Sequence, residues 1–388
     1  MSDEPIHLAV ALDGTGWHPA SWREPDARPA DLLSPAYWTD LVTEAERGLL
    51  DFVTIEDGLT LQYDDAVGVD DRTDRVRGRL DAVLIAARVA PRTRHIGLVP
   101  TGVVTHTEPF HLSKAIATLD YVSTGRAGVR VQVSANPHAA RHFGRRVVAD
   151  SFNGASTREL LAEARDYTEV LRRLWDSWED DAVIRDVASG RFVDRNKLHY
   201  IDFEGAWFSV KGPSITPRPP QGQPIVAALG HGEASHALIS TSADVGFVTP
   251  HGAAETTGVV ETIAALRPTG LAPVRVFADL VVFLADTAAE ASTRRERLDE
   301  RAGVEYTSDA EVFVGTPAQL ADVLQQWHAA GATGFRLRPA TLPHDLIQIT
   351  AGLAPELRRR GAFRTDYSAS TLRGTLGLHR PANRYATA

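Results

Sequence analysis

The amino-acid sequence predicts an α/β protein, a (β/α)₈ TIM barrel, in a single domain that spans residues 1–388. Short apolar runs alternate with helical patterns through most of the chain, which is typical of strand–helix units around a parallel sheet. Eight of these runs qualify as strands, and eight is the number that closes such a barrel. The apolar fraction of 43% and the charged fraction of 23% are those of a globular chain with a large core.

The predicted strands and helices follow one another along the chain. The runs that predict strands are Ile6–Leu12, Phe52–Ile55, Ile96–Thr101, Ala127–Ser134, Pro224–Leu229, Val245–Thr249, Val274–Leu284 and Phe335–Arg338. The patterns that predict helices are Pro35–Leu49, Leu80–Val89, Pro109–Val122, Ser156–Trp178, Glu233–Thr241, Ala253–Leu266, Pro317–Ala330 and Pro343–Arg360. Ser34 and Thr316 each precede a proline, and a hydroxyl cap before proline marks where a helix begins.

Two regions, residues 58–79 and 179–223, interrupt this alternation of strands and helices. We predict that both are loops over the barrel mouth. The first is polar and rich in Asp, and the second contains PSITPRPPQGQP, which excludes a helix. Long ordered loops in barrels often form walls of an active site, because functional groups collect at the carboxyl ends of the strands. Residues 359–388 are expected to form a C-terminal extension.

Charge and composition exclude several classes of function. A net charge of −9 argues against a nucleic-acid or anionic-membrane partner and favours a small-molecule substrate. The absence of cysteine excludes disulfides, thiolate metal sites and a cysteine nucleophile. The segment MSDEPIHLAVAL is acidic, and its apolar run is too short for a signal peptide or a membrane span. We therefore expect a cytoplasmic protein.

Polar residues near the ends of predicted strands are candidate site residues. Asp57, Thr105 and Ser134 could face the barrel mouth, although each could equally be a helix cap or a turn residue. Gly230–Gly232 follows a strand and opens a helix, so its N–H groups could receive an anion such as a phosphate, or serve only as a turn. Trp22 lies in an irregular stretch and could form the wall of a pocket for a flat ring.

His138 and His142 are four residues apart, a spacing that puts two imidazoles on one helix face, as in many zinc sites. Neither a glutamate of the HExxH type nor an obvious third ligand accompanies them. A solvated or phosphate-facing pair is the favoured interpretation, and no metal is expected.

A series of motifs in order along the chain resembles one family. The motifs are SWREPDA (Ser21–Ala27), DFVTIEDGL (Asp51–Leu59), ATLDYVSTGR (Ala117–Arg126), SANPHAARHFG (Ser134–Gly144), LWDSWEDDAV (Leu174–Val183), KLHYIDFEGAWFSVKGP (Lys197–Pro213), RPPQGQPIV (Arg218–Val226) and RRGAFRTDYSASTLRGTLGL (Arg359–Leu378). Together they resemble the bacterial-luciferase-like flavin-dependent monooxygenases, in particular the nitrilotriacetate and dibenzothiophene-sulfone monooxygenase group. The resemblance covers nearly the whole chain.

The resemblance implies a luciferase-like barrel that binds reduced flavin mononucleotide (FMN) at its mouth and uses it with O₂ to oxidise a small organic substrate. A separate NAD(P)H-dependent flavin reductase would supply the flavin, and no dinucleotide-binding fingerprint is present in this chain. It further implies a homodimer or homotetramer. An F420-dependent oxidoreductase of the same superfamily and a non-catalytic flavin-binding scaffold are the alternatives.

The resemblance also assigns roles to single residues. Asp57 would be a catalytic and flavin-binding residue, and Thr105 and Ser134 would bind flavin. The loop Gly230, His231 and Gly232 would hold the phosphate. Trp22 and Arg23 would contact substrate.

Four positions depart from the family pattern. Gly232 stands where a serine is usual, and Leu161 stands where a flavin-contacting tyrosine is usual. Arg130 and Val133 replace an expected asparagine and threonine. The stretch Asp286–Gly315 lacks an insertion with which relatives cover the pocket. These departures put the strength of flavin binding and the inherited substrate in question.

Overall fold

Eight parallel strands close into a barrel in the computed structural model, which describes residues 4–62, 70–147 and 154–386. The barrel strands are β1 His7–Leu12, β2 Phe52–Ile55, β3 Gly97–Val103, β4 Gly128–Gln132, β5 Ile225–Gly230, β6 Val245–Val248, β7 Arg275–Leu284 and β8 Gly334–Pro339. Consecutive strands pair in parallel, and β8 pairs with β1 to close the ring. The predicted TIM barrel and all eight predicted strands are confirmed.

The predicted helices form the outer ring of the barrel. Their bounds are Pro35–Arg47, Ala82–Val89, Pro109–Val122, Gly154–Asp176, Glu233–Ser242, Ala253–Ala265, Pro317–Ala329 and, in three consecutive segments, His344–Ile347, Gln348–Leu353 and Ala354–Arg359. The Ser34 hydroxyl accepts a hydrogen bond from the N–H of Tyr37, and the Thr316 hydroxyl accepts one from Gln319. Both predicted caps are therefore confirmed. Across the described ranges, no helix is long and apolar enough to span a membrane.

Several elements lie outside the predicted pattern. They are the helices Pro137–Phe143, Ala288–Ala302 and Leu372–Thr375, and the strands Val183–Asp186, Arg191–Val193, Phe203–Glu204, Ser209–Val210 and Glu311–Gly315. The helix Ala288–Ala302 begins with a capping box formed by Thr287 and Glu290. This helix is highly charged and buries only three side chains, so its apolar stripe is weak. For that reason apolar periodicity did not predict the helix.

Residues 179–223 do not lie over the barrel mouth, where the sequence analysis predicted them. Phe203 and Phe208 pack with Val170 and Leu174, which belong to the helix Gly154–Asp176. Arg218 donates to the Asp176 carboxylate at the carboxyl end of that helix, 2.9 Å away. The segment therefore covers the outside of the helix ring, because its aromatic side chains bury themselves on an exposed helix face.

The interior of the barrel changes from apolar to charged between its base and its mouth. At the base, Phe52, Phe247 and Phe277 pack together, and Leu372 and Leu376 of the C-terminal extension close this end. Side chains that point inward recur every second residue along a strand. The next inward positions on β7 and β8 are therefore Asp279 and Arg336, which are register partners.

Asp279 is the centre of a buried ion-pair network. Its carboxylate accepts hydrogen bonds from Arg336 Nε and Arg338 Nε, each at 2.9 Å. All three side chains are at most 2% exposed. Burial alone would raise the pKa of the Asp279 carboxyl, but the charges of Arg336 and Arg338 hold that pKa below its usual value. The network stays ionised inside the barrel because each charge is matched.

Replacement of Asp279 by alanine should leave two arginines buried without their shared partner. Breaking a buried ion pair on one side costs about 3–5 kcal/mol, so the free energy of unfolding should fall by that amount in urea denaturation. Glu356→Ala is the control, because Glu356 pairs with Arg359 and Arg360 on the surface and should change stability far less. Equal losses for the two variants would contradict a structural role for the network.

Candidate active site

A cleft of about 410 Å³ opens at the carboxyl ends of β2, β3 and β4. Residues 57–62, which follow β2, line one side, and residues 132–136, at and after the end of β4, line the other. Val103 and Arg79 complete the lining. The volume lies within the range of small-molecule sites, and this end of a TIM barrel is where such sites form.

Arg130 lies beneath the cleft and orients the side chain of Gln132 above it. Its guanidinium donates to Thr101 Oγ1 at 2.9 Å and to Gln132 Oε1 at 2.6 Å, and it also pairs with Glu56. A guanidinium has only N–H donors, so the amide oxygen of Gln132 must be the atom that faces it. The Gln132 Nε2 group therefore points away from Arg130, and among the described residues it donates to no protein acceptor. It is a fixed donor on the wall of the cleft.

A smaller cavity of about 140 Å³ adjoins the cleft and shares Gln62 and Arg79 with it. Trp17 and His18, which follow β1, line its far side. Arg79 Nη2 donates to the Asp13 carboxylate at 2.6 Å, where the two cavities meet. Burial raises the pKa of the Asp13 carboxyl. The mouth therefore offers two adjoining compartments of different size, separated by an ion pair.

The structure brings three of the predicted site residues together. Asp57 and Ser134 both line the cleft, and Thr105 lies behind it, where its hydroxyl accepts the N–H of Ser134 at 2.7 Å. The Asp57 carboxylate also accepts the N–H groups of Gly58 at 2.7 Å and Ala82 at 2.9 Å. Burial raises the pKa of the Asp57 carboxyl. Asp57 is therefore both a cleft residue and a cap at the start of the helix Ala82–Val89.

The loop Gly230–Gly232 lies at the end of β5, beside β4, and does not line the cleft. The N–H groups of His231 and Gly232 both donate to Ser235 Oγ, at 3.0 and 3.1 Å. Ser235, three residues after Gly232, thus places a hydroxyl beside the loop, where it donates to the Gly232 carbonyl oxygen at 2.8 Å. The His231 ring lies 3.1 Å from the Thr249 hydroxyl and 3.7 Å from the Asp309 carboxylate.

The two predicted substrate residues lie next to the smaller cavity rather than on its lining. Trp22 Nε1 donates to the backbone oxygen of Asp74 at 3.1 Å. Arg23 donates to the backbone oxygen of Arg301 at 2.9 Å and is exposed. Trp17 occupies the position that the sequence suggested for Trp22, as an aromatic wall of a mouth cavity.

Gln132, Arg79 and Glu56 were not predicted as site residues from the sequence. A signal for the charged interior was present, because Arg130, Asp279 and Arg336 stand inside otherwise apolar predicted strands. A charged residue at a buried strand position requires a partner of opposite charge. That signal could have identified the network, but it could not have shown which side chain the network orients toward the cleft.

A family model described as "Luciferase-like monooxygenase" matches residues 16–334. The chain is 30% identical to N-acetyl-S-(2-succino)cysteine monooxygenase of Bacillus subtilis, over 98% of both chains. It is 29% identical to nitrilotriacetate monooxygenase component A of Aminobacter aminovorans, over 99% of both chains.

Solved structures share the fold. A riboflavin lyase in complex with modified FMN and riboflavin superimposes with a TM-score of 0.84 and 24% identity, covering 98% of both chains. An F420-dependent tetrahydromethanopterin reductase from Methanopyrus kandleri gives a TM-score of 0.59 and 14% identity, covering 90% of this chain and 99% of that one. The F420-dependent structure is the more distant of the two.

Replacement of Asp57 by alanine should remove the acceptor for the first N–H of the helix Ala82–Val89. The N-cap of this helix, Asp81, stays in place, but a buried N–H without its acceptor costs about 1–3 kcal/mol, so thermal and urea unfolding should both show a less stable protein. Asp57→Asn keeps one of the two acceptor oxygens but turns its NH₂ group toward the other backbone N–H, so this variant should restore only part of that stability. If the alanine variant unfolds like the wild type, the capping role is wrong and Asp57 serves the cleft alone.

Proposed function

Because this chain belongs to the luciferase-like monooxygenase family, we propose that its mouth cleft binds reduced FMN, which it uses with O₂ to oxidise a small organic molecule. The chain is a flavin-dependent monooxygenase. The observation that carries the assignment of the site is the fixed amide donor of Gln132 on the wall of a cleft of about 410 Å³.

The donor set of the cleft suits the ring of a flavin. The pyrimidine edge of that ring carries two carbonyl oxygens, which need hydrogen-bond donors. Gln132 Nε2 and the Ser134 hydroxyl are two donors on the β4 side of the cleft, and neither has an acceptor among the described residues. The apolar side chains of Leu61, Val103 and Val133 also line the cleft, where they would contact the flat face of a ring.

When bound, reduced FMN supplies the electrons with which O₂ is activated. In the proposed arrangement Gln132 donates to a ring carbonyl, and Arg130 keeps the amide from rotating away. Residues 57–62 cover one side of the ring and exclude water from it. The substrate enters the adjoining cavity between Trp17, His18 and Arg79, next to the ring.

The phosphate of FMN would lie at the loop Gly230–Gly232, at the N-terminus of the helix Glu233–Ser242. Ser235 supports this placement, because its hydroxyl holds both loop N–H groups in a convergent arrangement. A phosphate oxygen would replace that hydroxyl as the shared acceptor, and the Ser235 hydroxyl would then give up its hydrogen bond to the Gly232 carbonyl oxygen and donate to the phosphate.

A separate NAD(P)H-dependent flavin reductase would supply the reduced flavin. One relative bears the name component A, which fits an enzyme of two components. In this arrangement the flavin enters and leaves as a diffusing molecule, and the protein would work in the cytoplasm beside its reductase.

A flavin titration and an oxygen-uptake assay test the proposed function. Tryptophan fluorescence should report binding of reduced FMN under anaerobic conditions, and no comparable response to F420. With O₂, NAD(P)H and a flavin reductase, addition of the protein should lower the hydrogen peroxide released per flavin oxidised when a substrate is present. Binding of F420 in preference to FMN would favour the alternative oxidoreductase, and binding of neither would favour a non-catalytic scaffold.

The role of Gln132 is tested by a pair of variants. Gln132→Leu removes the donor, and loss of one hydrogen bond worth about 1 kcal/mol should weaken FMN binding roughly fivefold. Gln132→Glu should weaken binding further, because a carboxylate held by Arg130 presents only acceptors to the ring carbonyl. The reduction potential of bound flavin should shift in both.

Gln326→Leu is the matched control, because Gln326 is exposed on the helix Pro317–Ala329. Thermal melting of each variant shows whether the network around Arg130 survives. Unchanged FMN affinity and potential in both Gln132 variants would exclude this residue from the flavin site.

A further inference from the structure

The charged side chains that line the smaller mouth cavity are mostly positive. Among its described lining residues, the guanidinium groups of Arg75, Arg77 and Arg79 accompany one carboxyl group, that of Asp13. Arg75 is only 9% exposed. His18 on the far side adds no charge at neutral pH, because burial lowers its pKa and the nearby charge of Arg75 lowers it further. A cavity with this lining attracts anions.

Residues 75–77, which carry two of these arginines, belong to a segment that is held at both ends. At one end, Trp22 Nε1 donates to the backbone oxygen of Asp74 at 3.1 Å. At the other end, the Gln62 amide donates to the backbone oxygen of Gly78 at 3.2 Å and accepts its N–H at 3.0 Å. The two guanidinium groups are therefore in position before a ligand binds, which lowers the entropy cost of binding.

Arg79 carries a hydrogen-bond donor at the boundary between the cavity and the larger cleft. Its Nε and Nη2 groups donate to the Asp13 carboxylate at 3.2 and 2.6 Å, and this double contact fixes the plane of the guanidinium. Its Nη1 group has no acceptor among the described residues. Nη1 lies beside Gly58 on the cleft wall, 3.3 Å from the position that a β-carbon there would take. The boundary thus holds a fixed cationic donor.

We propose that the smaller cavity binds a carboxylate group of the substrate, so that the enzyme oxidises a small organic acid. This assignment rests on the proposed function, in which the flavin ring occupies the cleft and the substrate lies beside it. Arg79 Nη1 donates to the carboxylate, and Arg75 and Arg77 stabilise its charge. The uncharged part of the substrate then extends toward the ring. Guanidinium groups suit this role because their N–H donors match the geometry of a planar carboxylate.

Calorimetric titration of the flavin-free protein tests the anion site. Malonate, a small dicarboxylate, is the probe, and malonamide is its neutral counterpart of similar shape. Malonate should bind, and malonamide should bind roughly tenfold more weakly or not at all, because hydrogen bonds to a charged group are the stronger ones. Binding of malonate should also weaken as salt rises. Equal binding of the two probes, or no binding of malonate, would overturn the proposal.

Three variants test the arginines one by one. Arg79→Lys keeps a positive charge beside Asp13 but loses the planar set of donors, so it should bind malonate several times more weakly while its melting temperature changes little. Arg75→Gln removes a charge and should weaken malonate binding roughly tenfold. Arg77→Gln should act in the same direction, and its more exposed side chain makes it the variant to use if Arg75→Gln does not fold.

Arg47→Gln is the matched control. It removes the same charge from the surface of the helix Pro35–Arg47, where Arg47 pairs with Glu44, and it should bind malonate like the wild type. Unchanged malonate affinity in all three cavity variants, or an equal loss in the control, would contradict the proposed site.

Flavin titrations of Arg75→Gln separate a substrate site from a cofactor site. The affinities for reduced FMN and for riboflavin should both equal those of the wild type. A loss of FMN affinity with riboflavin binding unchanged would show that the arginines hold the flavin phosphate, and it would overturn the proposal. Malonate binding by a protein that binds no FMN would support the anion site and contradict only the proposed function.

Discussion

The ion pair between Asp279 and its two arginines is the interaction on which the site depends. Arg336 and Arg338 point into the barrel from β8, and without a matched carboxylate they would have to be buried as uncompensated charges. Asp279 on the neighbouring strand β7 pairs with both arginines and so compensates their charges. Arg338 continues the network to Asp309, and Arg336 lies 3.4 Å from Glu56. A series of ion pairs thus extends across the barrel, from the strands β7 and β8 to the cleft.

This network explains how a packed barrel acquires a polar mouth. Inward positions alternate along each strand, so the layer above the aromatic base holds the charged groups, and the layer above that holds the side chains that face a ligand. Gln132 is two residues beyond Arg130 on β4 and is oriented by it. The rigidity of the strands and the ion pairs therefore determines where a donor faces the cleft. Such preorganisation is what a binding site for a planar cofactor requires.

The sequence predicted those features that depend on local patterns. Strand runs, helix starts at Ser34 and Thr316, and the barrel itself follow from periodicity and capping chemistry. The family motifs added an activity that no local pattern could give. Features that depend on distant partners were missed: residues 179–223 cover the outside of the ring because Phe203 and Phe208 pack on a distant helix face. The orientation of Gln132 depends on the Arg130 guanidinium beneath it. The loop Gly230–Gly232 has no hydroxyl of its own, and the sequence did not predict that the Ser235 hydroxyl reaches it.

We propose that the cleft above Arg130 and Gln132 holds the flavin ring. The most direct measurement is a crystal structure of the protein with reduced FMN, prepared without oxygen. We predict a carbonyl of the ring within hydrogen-bond distance of Gln132 Nε2, the ring between residues 57–62 and 132–136, and the phosphate at the loop Gly230–Gly232. A ring located instead in the cavity beside Trp17 and His18, or a flavin outside the barrel mouth, would contradict the account.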